Sequence, residues 1–153
     1  MTEFLALFLA AALSVLTHEL GHAFFQKLFG VPVTTIRWGM GPVLFRIGVL
    51  EVRGLLLGGA VTPAGPKLTT SRWKGVVIAL GGIIAQWFAV WILAATKLYA
   101  VPMTQVFCQA FMFFSFLALT QLIPLKHWDG YYALQSLLGK YKRQNFSTDL
   151  PTI

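Results

Sequence analysis

The sequence predicts an α-helical integral membrane protein, with three transmembrane helices and a membrane-associated β-hairpin or re-entrant loop between the first two. Of the 153 residues, 57% are hydrophobic and only 11% are charged, whereas about 25% of the residues in a typical soluble domain are charged. Three stretches, residues 4–29, 75–98 and 105–123, are long and apolar enough to cross a bilayer as helices. We therefore expect one membrane-embedded core over residues 1–144, followed by a polar tail at 145–153.

The first apolar stretch carries one polar stripe. Ser14, His18, His22 and Gln26 follow one another at intervals of four, so on an α-helix they share a face. That face is expected to point into the protein, because polar side chains at membrane depth are costly unless they pair or line a cavity. A cleaved signal peptide is the alternative interpretation, but residues 1–3 contain no lysine or arginine.

The segment at 33–66 differs in kind from its apolar flanks. Two β-prone runs, Val43 to Ile47 and Val49 to Arg53, surround Gly48 and predict a β-hairpin. The following run, Leu55 to Val61, is too short and too rich in glycine to span a membrane. We expect it to form a loop that dips into the bilayer only where protein or a cavity covers its backbone.

The second span contains the amide Gln86 and the close-packing pair Gly81-Gly82, and Pro124 ends the third span. A short helix is expected at 129–139. The single cysteine, Cys108, excludes an intrachain disulfide.

The formal net charge of +7 would suggest nucleic-acid binding in a soluble protein. Here the basic residues flank the apolar stretches, so we expect the lipid bilayer and no nucleic acid as partner. Basic residues concentrate between spans one and two and after span three: Arg37, Arg46, Arg53, Lys67, Arg72, Lys74, Lys126, Lys140, Lys142 and Arg143. This asymmetry predicts an outside N-terminus and a cytoplasmic C-terminus in the cell (inner) membrane.

A metal-binding pattern lies within the first stretch. His18 and His22 are four apart, with Glu19 directly after the first histidine. On a helix the two imidazoles can share a Zn²⁺ ion, and the glutamate can act as general base. The alternative is a pair of packed helix histidines, which the apolar surroundings disfavour.

A catalytic zinc site needs a third protein ligand. Asp129 and His127 both follow the third span, and Gly130 could let the backbone turn and aim Asp129 inward. Asp129 could instead be the N-cap of the following helix. The other acidic candidates, Glu3, Glu51 and Asp149, are less suitably placed.

Over about Phe4 to Leu138 the sequence resembles the site-2 proteases, a family of zinc intramembrane proteases. The resemblance rests, in order, on His18 to His22, Gly39 to Gly41, Gly58-Gly59, and Gln121 to Pro124 followed by Asp129-Gly130. The family pattern at the last position is Asn, Pro three later, then Asp-Gly five after the Pro. The resemblance therefore implies zinc bound by His18, His22 and Asp129, and Glu19 as the catalytic base.

Two positions depart from the family pattern. Gln121 stands where the family usually has Asn, and Gln86 stands where it often has a small residue or Asn. By resemblance these amides would orient the substrate or donate to the oxyanion, and the longer side chains could alter or abolish activity.

The expected function is hydrolysis of a peptide bond in or near a transmembrane segment of a membrane protein. Val43, Phe45 and Ile47 on an exposed hairpin edge could hold the substrate by strand addition, or could simply support the hairpin at the membrane interface. The alternative function is that of a catalytically impaired relative acting as a membrane binding or assembly subunit. A metal-handling membrane protein is disfavoured because Glu19 would have no task, and a regulatory membrane partner could accompany either main function.

Overall fold

The computed structural model describes residues 2–64 and 71–139. Six main elements follow one another along the chain: α1 (Thr2–Leu28), β1 (Val33–Ile47), β2 (Leu50–Pro63), α2 (Arg72–Thr96), α3 (Pro102–Leu117) and α4 (Asp129–Leu137). Two 3₁₀ segments, Leu98–Ala100 and Ala118–Leu122, extend the ends of α2 and α3.

Within these described residues, three helices are long and apolar enough to cross a membrane: Thr2–Leu28, Arg72–Thr96 and Thr104–Leu122. All three predicted spans are therefore present as helices. The second begins three residues earlier than predicted and ends at Thr96, because Lys97 adopts a left-handed conformation with a φ of 53°. The third changes from an α-helix to a 3₁₀-helix after Leu117.

The hairpin is longer than the sequence suggested, and one expectation about it was wrong. Leu55 to Val61 was expected to form a separate loop, but these residues continue β2, which pairs antiparallel with β1. The chain reverses at Gly48, whose φ of 57° suits a residue without a Cβ. The Gly58-Gly59 pair lies inside β2 and not in a loop. At Gly59 the absence of a side chain permits close packing against Glu19.

Both strands bend, so that the middle of β1 is paired on two sides. Residues 36–38 pair with 59–61 on one side and with 50–52 on the other. Residues 43–47 pair with the far side of 50–53. Across the sheet, 43–47 and 59–61 therefore form opposite edges.

The hairpin is fixed to α1 by one hydrogen bond and one apolar cluster. The indole Nε1 of Trp38 donates to the carbonyl oxygen of Ala12 at 2.8 Å, and Ala23 packs with Val33 and Ile36. Strand β1 therefore lies beside the part of α1 that is long and apolar enough to cross a membrane.

Helices α2 and α3 pack closely against α1, and α4 packs against α2. A Cβ at Gly81 would lie 3.0 Å from the Gly21 carbonyl oxygen, so this glycine permits the close approach of α2 to α1. Ala10 packs with Ala110 and Phe111 of α3. Near the start of α2, Gly75 accommodates Ser136 of α4, whose Oγ would lie 2.8 Å from a Cβ at that position.

The predicted C-terminal helix forms over Asp129–Leu137. The predicted tail at 145–153, and the end of the core before it, lie outside the described residues.

Candidate metal centre

His18 and His22 lie on the face of α1 that is turned towards α2. Their ring centroids are 4.7 Å apart, and their Nε2 atoms are 3.1 Å apart. The interval of four residues on one helix produces this pairing directly.

The Nδ1 atom of each ring is occupied by an acceptor on α2. His18 Nδ1 donates to Gln86 Oε1 at 3.0 Å, and His22 Nδ1 donates to the carbonyl oxygen of Ile78 at 2.8 Å. Because each neutral imidazole carries its proton on Nδ1 in these bonds, each Nε2 presents a lone pair.

Asp129 completes the cluster from the start of α4. Its Oδ2 lies 3.0 Å from His18 Nε2, and its Oδ1 lies 3.4 Å from His22 Nε2. Asp129 is the first helical residue, and Trp128 is the N-cap, so the alternative role of Asp129 as N-cap is wrong. Burial favours the neutral carboxyl, but the His18 and His22 imidazoles beside it lower the pKa of Asp129 to about 2.

Gly130 assists this arrangement in a way that the sequence did not suggest. A Cβ at Gly130 would overlap the carbonyl of Leu122 and lie 3.0 Å from the carbonyl oxygen of Ile123. The glycine therefore lets α4 begin directly against the end of the third span. His127 is the residue that adopts a left-handed conformation, with a φ of 76°.

These donor atoms fit a cation. Ligand atoms of His18, His22 and Asp129 all lie within 4.8 Å of one another, and the buried Asp129 Oδ2 has no hydrogen-bond partner. Two imidazole lone pairs and a carboxylate facing each other repel unless a positive charge lies between them. Two His and one carboxylate, with room for water, are the ligands of a catalytic zinc site.

Glu19 is buried beside this cluster and lies against the hairpin. Its side chain is 7% exposed and interacts electrostatically with His22, His18, Asp129 and Arg37. A Cβ at Gly59 would lie 2.8 Å from Glu19 Cδ and 2.8 Å from the Arg37 carbonyl oxygen. Because Gly59 has no side chain, strand β2 can lie directly against Glu19 and restrict its position.

The two predicted amides, Gln86 and Gln121, differ in their hydrogen bonding. Gln86 does not support the expected oxyanion role, because its Nε2 already donates to the carbonyl oxygen and the Oγ of Ser14. Gln121 is half-buried in the 3₁₀ segment after α3, and its side-chain amide makes no hydrogen bond to another described residue.

Val43, Phe45 and Ile47 are not brought to the metal cluster. They lie on the sheet edge opposite to the one that faces Glu19, and all three side chains are exposed. A strand clamp at these residues stays a prediction, and it would act on a sheet edge that does not adjoin Glu19. His127 is exposed in the turn before α4 and is no member of the cluster.

Sequence reasoning named Gln86 on α2 but missed its contact with His18 and the contacts that Gly82 and Ile78 make with the histidines. Ile78, Gly82 and Gln86 are spaced by four, as are Ser14, His18 and His22 on α1. A Cβ at Gly82 would lie 2.6 Å from the Cδ2 and Cε1 atoms of His18. The interval of four shared by Gly82 and Gln86 on α2 and by the polar stripe on α1 indicates that these two faces could meet, but it does not determine the register between them.

Comparison with known families agrees with this geometry. The model of peptidase family M50 matches residues 6–111, which include the histidine pair, Glu19, the hairpin, α2 and much of α3. The match ends before Asp129, whose place in the cluster comes from the structure. No curated protein sequence matches the chain. Since the family model covers more than half of the sequence, the chain belongs to peptidase family M50, the site-2 protease family of membrane metalloproteases.

Proposed function

We propose that the chain is a zinc-dependent intramembrane endopeptidase, which hydrolyses a peptide bond in or near a transmembrane segment of a membrane protein. The observation that carries the proposal is the meeting of His18, His22 and Asp129 beside the buried Glu19. Three protein ligands with a neighbouring carboxylate that is no ligand are typical of hydrolytic zinc sites.

His18, His22 and Asp129 would hold the metal. When bound, zinc supplies the Lewis acidity that activates water and polarises a peptide carbonyl. Glu19 accepts the proton of the attacking water and then delivers it to the amine that leaves. Its burial against Gly59 keeps the carboxylate in one place, as proton transfer in a fixed geometry requires.

The position of the cluster supports a substrate within the membrane. His18 and His22 lie inside the α1 span, and Trp38 brings β1 to the depth of Ala12. A soluble peptide would have to enter an apolar environment to reach this depth, whereas a transmembrane segment is already there. The substrate helix must unwind locally, because its peptide groups are otherwise held in internal hydrogen bonds.

Gln121 is the amide that remains available for the oxyanion. It precedes Leu122, whose carbonyl packs against Gly130 next to Asp129, and its amide makes no hydrogen bond to another described residue. One donor to a developing oxyanion contributes about 3 kcal/mol. Gln121→Leu should therefore lower turnover by about two orders of magnitude, at unchanged zinc content.

The experiment is cleavage of a panel of single-span substrates in liposomes by wild type and by Glu19→Gln. The amide cannot accept the proton, so turnover should fall by roughly two to four orders of magnitude. Zinc content should stay unchanged, because Glu19 is not a ligand. A chelator should abolish wild-type cleavage.

Chelator-sensitive cleavage that Glu19→Gln retains would contradict the role of Glu19. If wild type binds zinc but cleaves no member of the panel, the alternative function, a membrane binding or assembly subunit, replaces the proposal. Gln121→Asn restores the residue that is usual in the family. Its turnover should be lower than that of wild type if Gln121 is a tuned oxyanion donor, and higher if the glutamine has impaired activity.

A further inference from the structure

Gln86 is the most buried amide near the metal cluster, with 2% of its surface exposed. It lies on α2, outside the set of potential ligands, and all of its hydrogen-bonding groups on the described chain face α1. A buried amide in a membrane span is costly unless its groups are paired. The hydrogen-bond partners of Gln86 therefore indicate its role.

The orientation of this amide is determined by Ser14. The backbone carbonyl oxygen of Ser14 can only accept, and it lies 3.1 Å from Gln86 Nε2. The Ser14 hydroxyl oxygen lies 2.7 Å from the same nitrogen. The NH₂ group must therefore face Ser14, and Oε1 must face His18.

This orientation fixes the tautomer of His18. Gln86 Oε1 can only accept, so the proton of His18 must be on Nδ1, which lies 3.0 Å away. Nε2 is then free of hydrogen and points to Asp129 Oδ2. Gly82, one turn before Gln86, removes the side chain that would otherwise displace the ring.

The two histidines are held differently. The Nδ1 atom of His22 is fixed by the backbone carbonyl of Ile78, which every residue at that position would supply. The Nδ1 atom of His18 depends on one side chain. Metal-ligating histidines that lose such a partner typically lose about 10–100-fold in metal affinity.

We propose that Gln86 is a positioning residue for the metal centre. Its hydrogen bonds to Ser14 orient the amide so that Oε1 accepts from His18. This bond holds His18 in the Nδ1–H tautomer and directs its Nε2 towards the ion. The inference rests on the zinc site of the proposed function, but it concerns metal affinity and geometry and not cleavage. The longer glutamine at this position then serves the metal ligand rather than the substrate.

The test measures Zn²⁺ affinity by chelator competition, and the absorption spectrum of the Co²⁺-substituted protein, for purified wild type and variants. Gln86→Leu keeps the approximate volume and removes the acceptor. It should weaken Zn²⁺ binding by about 10–100-fold and alter the Co²⁺ spectrum. Gln26→Leu is the matched control, since Gln26 is also a buried amide on the polar stripe but has an Oε1 without a partner. It should bind Zn²⁺ like wild type.

Gln86→Glu separates positioning from packing. A protonated carboxyl can donate to the Ser14 carbonyl and still accept from His18, so this variant should recover most of the affinity that Gln86→Leu loses. Ser14→Ala retains the carbonyl but removes the hydroxyl acceptor, and should weaken Zn²⁺ binding by a few-fold. It carries the test if Gln86→Leu does not fold.

The proposal is overturned if Gln86→Leu matches wild type in affinity and spectrum, or if Gln86→Glu binds Zn²⁺ no better than Gln86→Leu. Both outcomes are independent of proteolysis. A protein that binds Zn²⁺ in a Gln86-dependent way and cleaves nothing would contradict the endopeptidase function alone. An active protease with a Gln86-independent zinc site would contradict this inference alone.

Discussion

Gln86 on α2 accepts a hydrogen bond from His18 on α1 at 3.0 Å, and this contact belongs to a register that repeats along both helices. One turn earlier on α2, Gly82 lies against the His18 ring. One turn earlier again, the Ile78 carbonyl accepts from His22. An interval of four on each of two antiparallel helices therefore builds the metal site as a seam between them.

Asp129→Ala should release the metal, because it removes the anionic donor that lies 3.0 Å from His18 Nε2. Zinc content of the purified protein should fall from about one ion per chain to near zero at submicromolar free zinc. Metal analysis after dialysis measures this.

His127→Asn is the matched control for Asp129→Ala. His127 is a potential ligand two residues away, but it is exposed and lies outside the cluster. Asparagine tolerates its left-handed conformation better than alanine does, so the fold should not change. Loss of zinc from His127→Asn with retention in Asp129→Ala would reverse the assignment of the third ligand.

Gly59→Ala should impair the catalytic glutamate. The new methyl group would lie 2.8 Å from both Glu19 Cδ and the Arg37 carbonyl oxygen, which is closer than carbon atoms tolerate. Forced overpacking costs roughly 1–3 kcal/mol, and a shift of Glu19 by about 1 Å can lower turnover by about 100-fold. Turnover and thermal stability in detergent provide the measurement.

Gly54→Ala tests the same exchange elsewhere on β2. A Cβ at Gly54 would meet only Pro42, at 3.8 Å, which is ordinary contact. Its stability should stay within about 0.5 kcal/mol of wild type. Equal effects of the two substitutions would mean that strand flexibility, and not contact with Glu19, explains Gly59.

The sequence was sufficient for the parts of the site that are local. His18, Glu19 and His22 lie within five consecutive residues of one helix, so their geometry follows from helical periodicity. Asp129 is remote in sequence; its place after the third span beside Gly130 made it a candidate, and the family pattern selected it among several. The role of Gln86 could not be predicted because it depends on the register between two spans, which helix periodicity alone does not determine.

In the hairpin, too, local sequence preferences predict only part of the structure. Local β-propensity and Gly48 were sufficient to predict the turn between the strands. The continuation of β2 through Leu55 and Gly59 depends on pairing with Trp38 and Met40, many residues away. Glycine-rich runs are weak strand formers, so tertiary pairing overrides the local preference there. The placement of Val43, Phe45 and Ile47 on the edge away from Glu19 depends on the same pairing, which local propensity does not determine.

Glu51 should stabilise the hairpin in a pH-dependent way. Its carboxylate, 5% exposed, binds Arg46 and Arg53, and these two guanidinium groups lower the pKa of Glu51 below its ordinary value of 4.5. The folded form thus stays charged to lower pH than the unfolded form. The stabilisation is complete above pH 4.5 and disappears as the pH falls through the lowered pKa.

Thermal unfolding of wild type and Glu51→Gln in detergent tests this pH dependence. Wild type should melt at the higher temperature at pH 7, and the difference should shrink progressively below pH 4.5. Both proteins are treated with chelator beforehand, so that metal release at low pH does not contribute. A difference that stays constant from pH 7 to pH 3 would contradict the ion-pair explanation.

We predict the orientation of the chain in the membrane from its basic residues. Arg37, Arg46 and Arg53 lie on the hairpin between the first two spans, whereas Lys97 is the basic residue at the connection between α2 and α3. Cytoplasmic loops carry the excess of Lys and Arg, so the hairpin and the C-terminus should be cytoplasmic. With the three candidate spans found among the described residues, the N-terminus should then be outside.

Reporter fusions at Pro102 and after Ile153 test this orientation. With three spans, a phosphatase reporter that is active only outside should report at Pro102, and a fluorescent reporter that matures only in the cytoplasm should report after Ile153. A reversed pair of signals would contradict the charge argument but keep the three spans. Two signals from the same side would contradict the three-span arrangement, because the α3 helix, with its 3₁₀ extension to Leu122, separates the two fusion sites. Removing the basic charge is the companion experiment. Substitution of Arg37, Arg46 and Arg53 with Gln should reduce the orientation bias if the charge of this segment determines the orientation.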